Sequence, residues 1–580
     1  MSRRLTYLAI VAFPFFIPLT QPTSAQTPAP KEQKATELLE SIAERVSGLR
    51  SPSNRISASA TVGDLLWSRD EKRARAIFEA LTNLFSELVS SMDFSNPEDY
   101  NTVSRLQQQR QQIVERIARH DPELSLSFLR ATRPLFARSQ SRNRNLSDND
   151  QNLELHLASL IAQRDPRVAL RLAREHLRRG VSHNQVSVLT QIQQKDAEAA
   201  RHFYRDLVER IGAEDMSQNL EAFNVGWNLL NSFQPPQAHA ETYRRLLETV
   251  SGRVLAISPG DATRIQLAQN VYSQIKWALP NIEKIAPERS AALREWSRAV
   301  DRTFDPQTRM YNELNELSQT GSVDDILSMA SRYPVEAQQH VYQQAVWKAM
   351  NGGEHERARQ IAKEMVSDPI QRQQMLDQIE HQLVWRASNE GNVAEARLAW
   401  GKIKSTEQRV QLMAQFAGNL AGRGEKQAAI TILNEARSLL EAVPQSSQKF
   451  NAQLQFVRTY STLDPDQANA MLQPMISQLN QLIAAAIVLD GIDHRTVQEG
   501  EWLAESYYSV NGLVNGMYQS LAQLAVSDFS SAKALADQFE RPELRLMAQL
   551  AIAQVVLGTQ ANTGPQPIIF TNGRRMYSFH

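Results

Sequence analysis

GGEHERARQIAKEM, Gly352 to Met365, is the stretch whose reading decides the fold. It begins an H-E pair at His355 and Glu356. A zinc-binding helix needs a second histidine four residues after the first, so that both ring nitrogens share one face. That position is Arg359, whose cation repels a metal. A second reading takes Gly353 as a turn and Ala358 as the small residue that lets the new helix approach the preceding one. The two readings are separated by asking whether the spacing recurs.

It recurs as Gly391 to Ala396 and Gly424 to Ala429. An aspartate version, with Ala four residues on, starts at Asp70, Asp165, Asp196, Asp464 and Asp528, and looser copies start at Asp121 and Gly321. Aspartate caps the free amides of a helix's first turn, and proline at the next position, as at Pro122, Pro166 and Pro465, is already shaped for it. From Gly353 the copies follow after 38, 33 and then 40 residues, the length of one helix-turn-helix unit. Apolar residues elsewhere also keep helical spacing, as Leu38, Leu39, Ile42, Val46 and Leu49 do.

The Gly-x-x-x-x-Ala unit, with a further Ala at Ala436 and Leu383 in the preceding helix, resembles the tetratricopeptide repeat. Residues 341–440 carry the resemblance best; over the rest of the chain it is to a degenerate tetratricopeptide-like or HEAT-like repeat. The resemblance implies an all-α, α-solenoid architecture of stacked antiparallel helix pairs with an extended concave surface. The tail differs. Asn572-Gly573 between two β-prone runs signals a short C-terminal hairpin, with a frayed tail as the alternative.

At 580 residues the chain exceeds one hydrophobic core, which suits a repeat array. Lys plus Arg equal Asp plus Glu at 63 each, so net charge favours neither nucleic acid nor an anionic membrane as partner. Arg3, Arg4, the apolar run Leu5 to Leu19 and Thr23-Ser24-Ala25 have the order of a secretory signal peptide, cleaved after Ala25. No other run of apolar residues reaches the roughly 20 that a spanning helix needs; LIAAAIVL, Leu482 to Leu489, reads as a buried helix. Cysteine is absent, which removes disulfides, thiol catalysis and cysteine-zinc clusters. The expected layout is a signal peptide at 1–25, a polar linker at 26–36, helical-repeat regions at 37–300 and 301–560, and a tail at 561–580. Polar breaks at Ser51–Ser59, Ser139–Asp150, Ser232–His239 and Val443–Gln448 read as loops between helices.

The most chemical-looking segment is LDGIDHRTVQEGEW, with Asp490, Asp493, His494, Glu499 and Glu501 as candidate catalytic residues. Carboxylates beside an imidazole can hold a cation or work as an acid-base pair, and convergence with Trp502 would make a glycan cleft. The plainer reading is that these residues end and cap helices. Residues 101–180 hold 15 Arg against 8 Asp and Glu, either a basic face for an acidic partner or helix formers with solvated heads. Trp347, Trp385 and Trp400 read as core, with a stacking cleft as the alternative. Nucleophile-elbow, phosphate-loop, dinucleotide and kinase motifs are missing.

These readings point to an exported, non-catalytic helical-repeat protein of the bacterial envelope, periplasmic or secreted, whose concave face binds protein or an envelope polymer. No metal, cofactor or nucleic acid is expected, nor a transmembrane segment after signal cleavage. The competing expectation is a polysaccharide- or cell-wall-acting enzyme of helical toroid type with a carboxylate cleft.

Overall fold

The computed structural model describes residues 30–90, 97–140, 145–214, 220–233, 239–261, 264–333, 335–441, 443–493, 496–503 and 509–558. The signal peptide, the tail hairpin and His494 lie outside them. The first half of the chain forms α1 (Pro30–Arg45), α2 (Pro52–Leu66), α3 (Glu71–Ser90), α4 (Pro97–His120), α5 (Pro122–Gln140), α6 (Asn145–Ile161), α7 (Pro166–Leu177), α8 (His183–Lys195), α9 (Ala197–Ala213), α10 (Leu220–Ser232), α11 (Ala240–Leu255), α12 (Ile265–Ile285) and α13 (Pro287–Asp301). The second forms α14 (Pro306–Thr320), α15 (Val323–Ser328), α16 (Val335–Asn351), α17 (His355–Met365), α18 (Pro369–Glu390), α19 (Val393–Trp400), α20 (Thr406–Gly422), α21 (Lys426–Glu441), α22 (Ser447–Leu463), α23 (Pro465–Asp493), β1 (Val497–Gln498), β2 (Glu501–Trp502), α24 (Ser509–Ser527), α25 (Phe529–Ala536) and α26 (Pro542–Gly558). The fold is all-α, with one two-stranded hairpin among the described residues.

The repeated turn behaves as its residues dictate. Gly353, Gly391 and Gly424 have φ of +80°, +74° and +85°, the left-handed conformation that ends a helix and that a Cβ disfavours. Ala358, Ala396 and Ala429, five residues later, are fully buried. In the aspartate version, Asp165 accepts from the amides of Arg167 and Val168, and Asp196 and Asp528 accept from Ala199 and Ser531. The alanines that follow, Ala169, Ala200 and Ala532, are buried too. At the looser copy after Asp121 the position belongs to Ser125, which is buried and donates from its hydroxyl to the Val114 carbonyl.

Two of the polar breaks are helical. Ser51 caps α2, with Pro52 at its first position, and α6 starts at Asn145. At the first of these places a short polar residue closes a helix at its N-terminus instead of opening a loop. α1 begins at Pro30, inside the segment expected to be a linker.

The helices form two layers. Even-numbered helices touch one another: α2 meets α4, then α6, α8 and α10 follow, and α18, α20, α22, α24 and α26 run on in the same way. Each odd-numbered helix covers its neighbours from the other side. From α18 onward the even layer is continuous, whereas of the odd helices there only α23 and α25 make comparable contact. Over α18 to α26 the even layer therefore takes the shorter, inner side of the curve, whereas in the first half odd helices such as α3 and α5 or α9 and α11 also touch one another. The array also returns on itself, because α26 packs against both α1 and α2. A single core accordingly joins residues 35–74 to residues 314–557, while two further clusters fill the arc between. Near α13 the connection is thinner, and Lys276 of α12 meets Glu316 of α14 at 2.6 Å.

α23 corrects two expectations. One side is core, through Ala468, Leu472, Ile476, Leu479 and Ile483, but Leu482 and, beyond the core residues, Val488 and Leu489 are exposed, Val488 at 76%. Pro465–Asp490, 26 residues, is also long and apolar enough by length and composition to cross a bilayer, a test that core helices pass too. The short apolar run at its end concealed this, since the helix extends well before it without a charge after Asp466.

Candidate functional site

The segment from Asp490 to Trp502 sits where the array closes. Asp490 ends the packed part of α23, and its carboxylate accepts from the amides of Thr496 at 2.7 Å and Val497 at 2.9 Å. That bond starts the hairpin, in which Val497 pairs with Trp502 and Gln498 with Glu501. Glu499 and Gly500 form its two-residue turn with φ of +52° and +73°, the left-handed pair that matches strand twist.

Glu501 reaches across to the other end of the chain. Its two oxygens accept from the amides of Arg50 at 2.8 Å and Ser51 at 3.1 Å, and the second also from the Asn54 side-chain amide at 3.3 Å. A carboxylate from sequence position 501 thus occupies the positive N-terminal end of α2. Asn54 donates to the Trp502 carbonyl at 2.9 Å. The Trp502 amide donates to Glu543 of α26 at 3.0 Å, and its indole N–H to Asn511 of α24 at 2.5 Å. Trp502 is completely buried. Asp490 and Glu501 are therefore held within the protein's own hydrogen bonds, and together with Trp502 they clasp α2, α24 and α26. Glu499 lies on the turn, exposed; of Asp493 only the backbone, as the last residue of α23, is described.

The opening histidine is also occupied. His355 Nε2 meets Arg386, and burial followed by the Arg386 charge pushes its pKa down. Arg359, at the place of a second metal ligand, is buried in a two-pronged pair with Glu380 at 2.7 and 2.9 Å. Among the described residues, no three His, Asp or Glu side chains are grouped to hold a metal.

Part of the arginine-rich segment turns inward. Arg110 is buried, donates to both oxygens of Asp150 at 2.6 and 3.1 Å, and also donates to Thr132 and to the Leu129 carbonyl. Glu154 lies between Arg130, Arg133 and His176 at 2.9, 2.9 and 2.8 Å. Burial works to raise its pKa, but the hydrogen bonds from His176 and Arg130 and the charges of both arginines outweigh it. The result is a pKa of about 2 against an ordinary 4.5. Asp64 accepts from Arg116 at 3.3 Å and from His120 at 2.6 Å. Arg110, Arg116, Arg130 and Arg133 thus bind the acids of neighbouring helices, while Arg164, Arg167, Arg171 and Arg178 are exposed.

The tryptophans divide. Trp400 is buried edge-on against Phe416, but Trp385 is 63% and Trp347 51% exposed. Both exposed rings lie six residues before a repeat glycine, Gly353 or Gly391, so they hold equivalent places on α16 and α18. Periodicity assigns a residue to a helix face. It does not reveal whether another helix covers that face. Beside Trp385 a cavity of about 280 Å³ opens between α18 and α20, lined among others by His381, Gln382, Ser388, Gln415 and Asn419.

The solvated side of this inner layer has one composition. Past the first turn of α16, α18 and α20, every exposed residue is Gln, Asn, Trp or Gly, apart from the terminal Glu390. Gln374, Gln378 and Trp385 on α18 continue into Gln411, Gln415 and Asn419 on α20. The outer helices are different, with Glu356 and Lys363 exposed on α17 and Lys426, Arg437 and Glu441 on α21. Carboxamides also link successive inner helices elsewhere in the array: Asn184 donates to Asn152 and Gln274 to Asn224, each at 2.9 Å. Asn419 donates to Ser388 at 2.6 Å within the cavity wall.

No protein-family model matches the chain, and neither does any curated protein. Among solved structures, a homology model of the full-length AP-3 complex in an intermediate open conformation aligns at 12% identity. The alignment covers 91% of this chain and 84% of that one, with a TM-score of 0.25. A circular tandem repeat protein with novel repeat topology aligns at 14% identity over 91% and 97% of the two chains, with a TM-score of 0.12. At those scores neither alignment bears on function.

Proposed function

We propose that the protein is an exported, non-catalytic helical-repeat scaffold of the bacterial envelope, of a degenerate tetratricopeptide-like or HEAT-like kind, that binds another macromolecule on its inner layer. The observation that carries this reading is a local segregation of side chains: uncharged amides and open tryptophans are what α16, α18 and α20 expose past their first turns, whereas α17 and α21 between and beside them carry ordinary charged surface. A solvated helix face without a partner has no physical need to exclude charge. The signal-peptide order of the first 25 residues supports export. The enzymatic alternative drew on the carboxylates near Asp490, and two of these, Asp490 and Glu501, are engaged with backbone amides in the clasp.

Site-specific photocrosslinking in intact cells tests the reading. A photoreactive residue replacing Gln415 is expected to capture a defined partner, and one replacing Arg437 on the outer layer is not. Equal labelling at both positions, or release of fragments from an envelope polymer by the purified protein, would sink it. Separating periplasmic, secreted and cytoplasmic fractions tests the location.

A further inference from the structure

We infer that the groove between α18 and α20 binds an extended, proline-rich polypeptide segment in the polyproline II conformation. The inference takes from the scaffold reading only the face on which binding occurs.

Three observations select this ligand. The first is hydrogen-bonding character. Gln374, Gln378, Gln411, Gln415 and Asn419 each offer a donor and an acceptor without charge, which suits the backbone of a neutral chain and does nothing for a polyanion or polycation. A polyproline II segment makes no internal hydrogen bonds, so its carbonyls are all open to such donors. The second is the aromatic rings. Trp385 and Trp347 present flat apolar surface to solvent at equivalent repeat positions, and aromatic-lined grooves are the surfaces on which proline rings dock. Beside Trp385, the cavity of about 280 Å³ has room for a side chain, and His381 Nε2 in its wall is buried with no hydrogen-bond partner.

The third is spacing. Polyproline II has three residues per turn and a rise of about 3.1 Å, so one face repeats every ~9.3 Å. Packed helices lie about 8–10 Å apart, and α18 and α20 pack on each other, so successive turns of the ligand meet these two helices in step. A β-strand repeats its face every ~6.6 Å and falls out of register after one helix. One ligand turn would stack on Trp385 while the next lies over Gln415 and Asn419.

The test is fluorescence anisotropy of labelled decaproline with the full-length mature chain, beside a labelled neutral chito-oligosaccharide and an amphipathic helical peptide. Decaproline is expected to bind with a Kd at or below about 1 mM. Trp385→Ala should weaken it about tenfold, as truncation of an aromatic anchor does, and Gln415→Ala less. Arg437→Ala on the outer layer should leave binding unchanged. Trp385 and Gln415 are exposed, so both variants should keep the parent's circular dichroism and melting. Absence of decaproline binding, or binding indifferent to Trp385→Ala, overturns the inference. Binding of the oligosaccharide alone, lost in Trp385→Ala, overturns the choice of ligand and keeps the face. None of these results alters the crosslinking contrast between Gln415 and Arg437, so failure here and failure of the scaffold reading are told apart.

Discussion

At the scale of single residues, the repeat is held by backbone conformation and by size. Gly353 has φ of +80° and open space where a Cβ would point, so Gly353→Ala isolates the conformational term. It should cost about 1 kcal/mol in urea unfolding without changing the fold. Ala358→Leu tests size instead. Its site is fully buried, and overpacking should cost about 1–3 kcal/mol. Glu154 carries the pH dependence. Its pKa in the folded chain is depressed to about 2, so its contribution is present above the ordinary value of 4.5 and is lost as pH falls from there toward 2. Melting temperatures measured across that range should fall less steeply in Glu154→Gln than in the parent, although the variant starts lower because Arg130, Arg133 and His176 lose their anion.

At the scale of elements, the clasp hairpin is short and owes its position to side chains more than to its own ladder. Glu501→Gln keeps the shape but replaces one of two acceptor oxygens with a donor facing the amide of Arg50 or Ser51. A buried amide left unpaired should cost about 1–3 kcal/mol. Hydrogen exchange should quicken first in the opening turn of α2, over residues 52–55, and a uniform increase across all helices would contradict the role assigned to Glu501. The sequence did mark this segment as unusual. Acids, a glycine and a tryptophan stood together after an apolar helix, and capping was one of the two readings on offer. It held no sign that the capped helix was α2, some 450 residues away, because such a contact leaves no local spacing to detect.

At the scale of the whole molecule, closure separates this chain from an open-ended array. Trp502 is buried where α2, α24 and α26 meet, so Trp502→Ala should cost about 3–5 kcal/mol and also loosen the closure. Phe416→Ala, equally buried but within one arm, should cost a similar amount. Small-angle scattering distinguishes the two: the radius of gyration should rise for Trp502→Ala and stay put for Phe416→Ala.

The sequence by itself determined the all-helical class, the two-helix unit and the turn that joins one unit to the next, because caps, glycine turns and small residues act within a few residues of where they stand. It also marked Trp347 and Trp385, but as part of the core. Which helix face is covered depends on neighbours supplied by other units. Tertiary structure alone decided that α26 returns to α1 and α2, that Glu501 spends its charge on a distant helix, and that Arg110, Arg130 and Arg133 turn toward buried acids. It also decided that the glutamines and tryptophans of α16, α18 and α20 stay exposed. Curvature accumulates from small rotations between units, and a sum over many units is not written at any one of them.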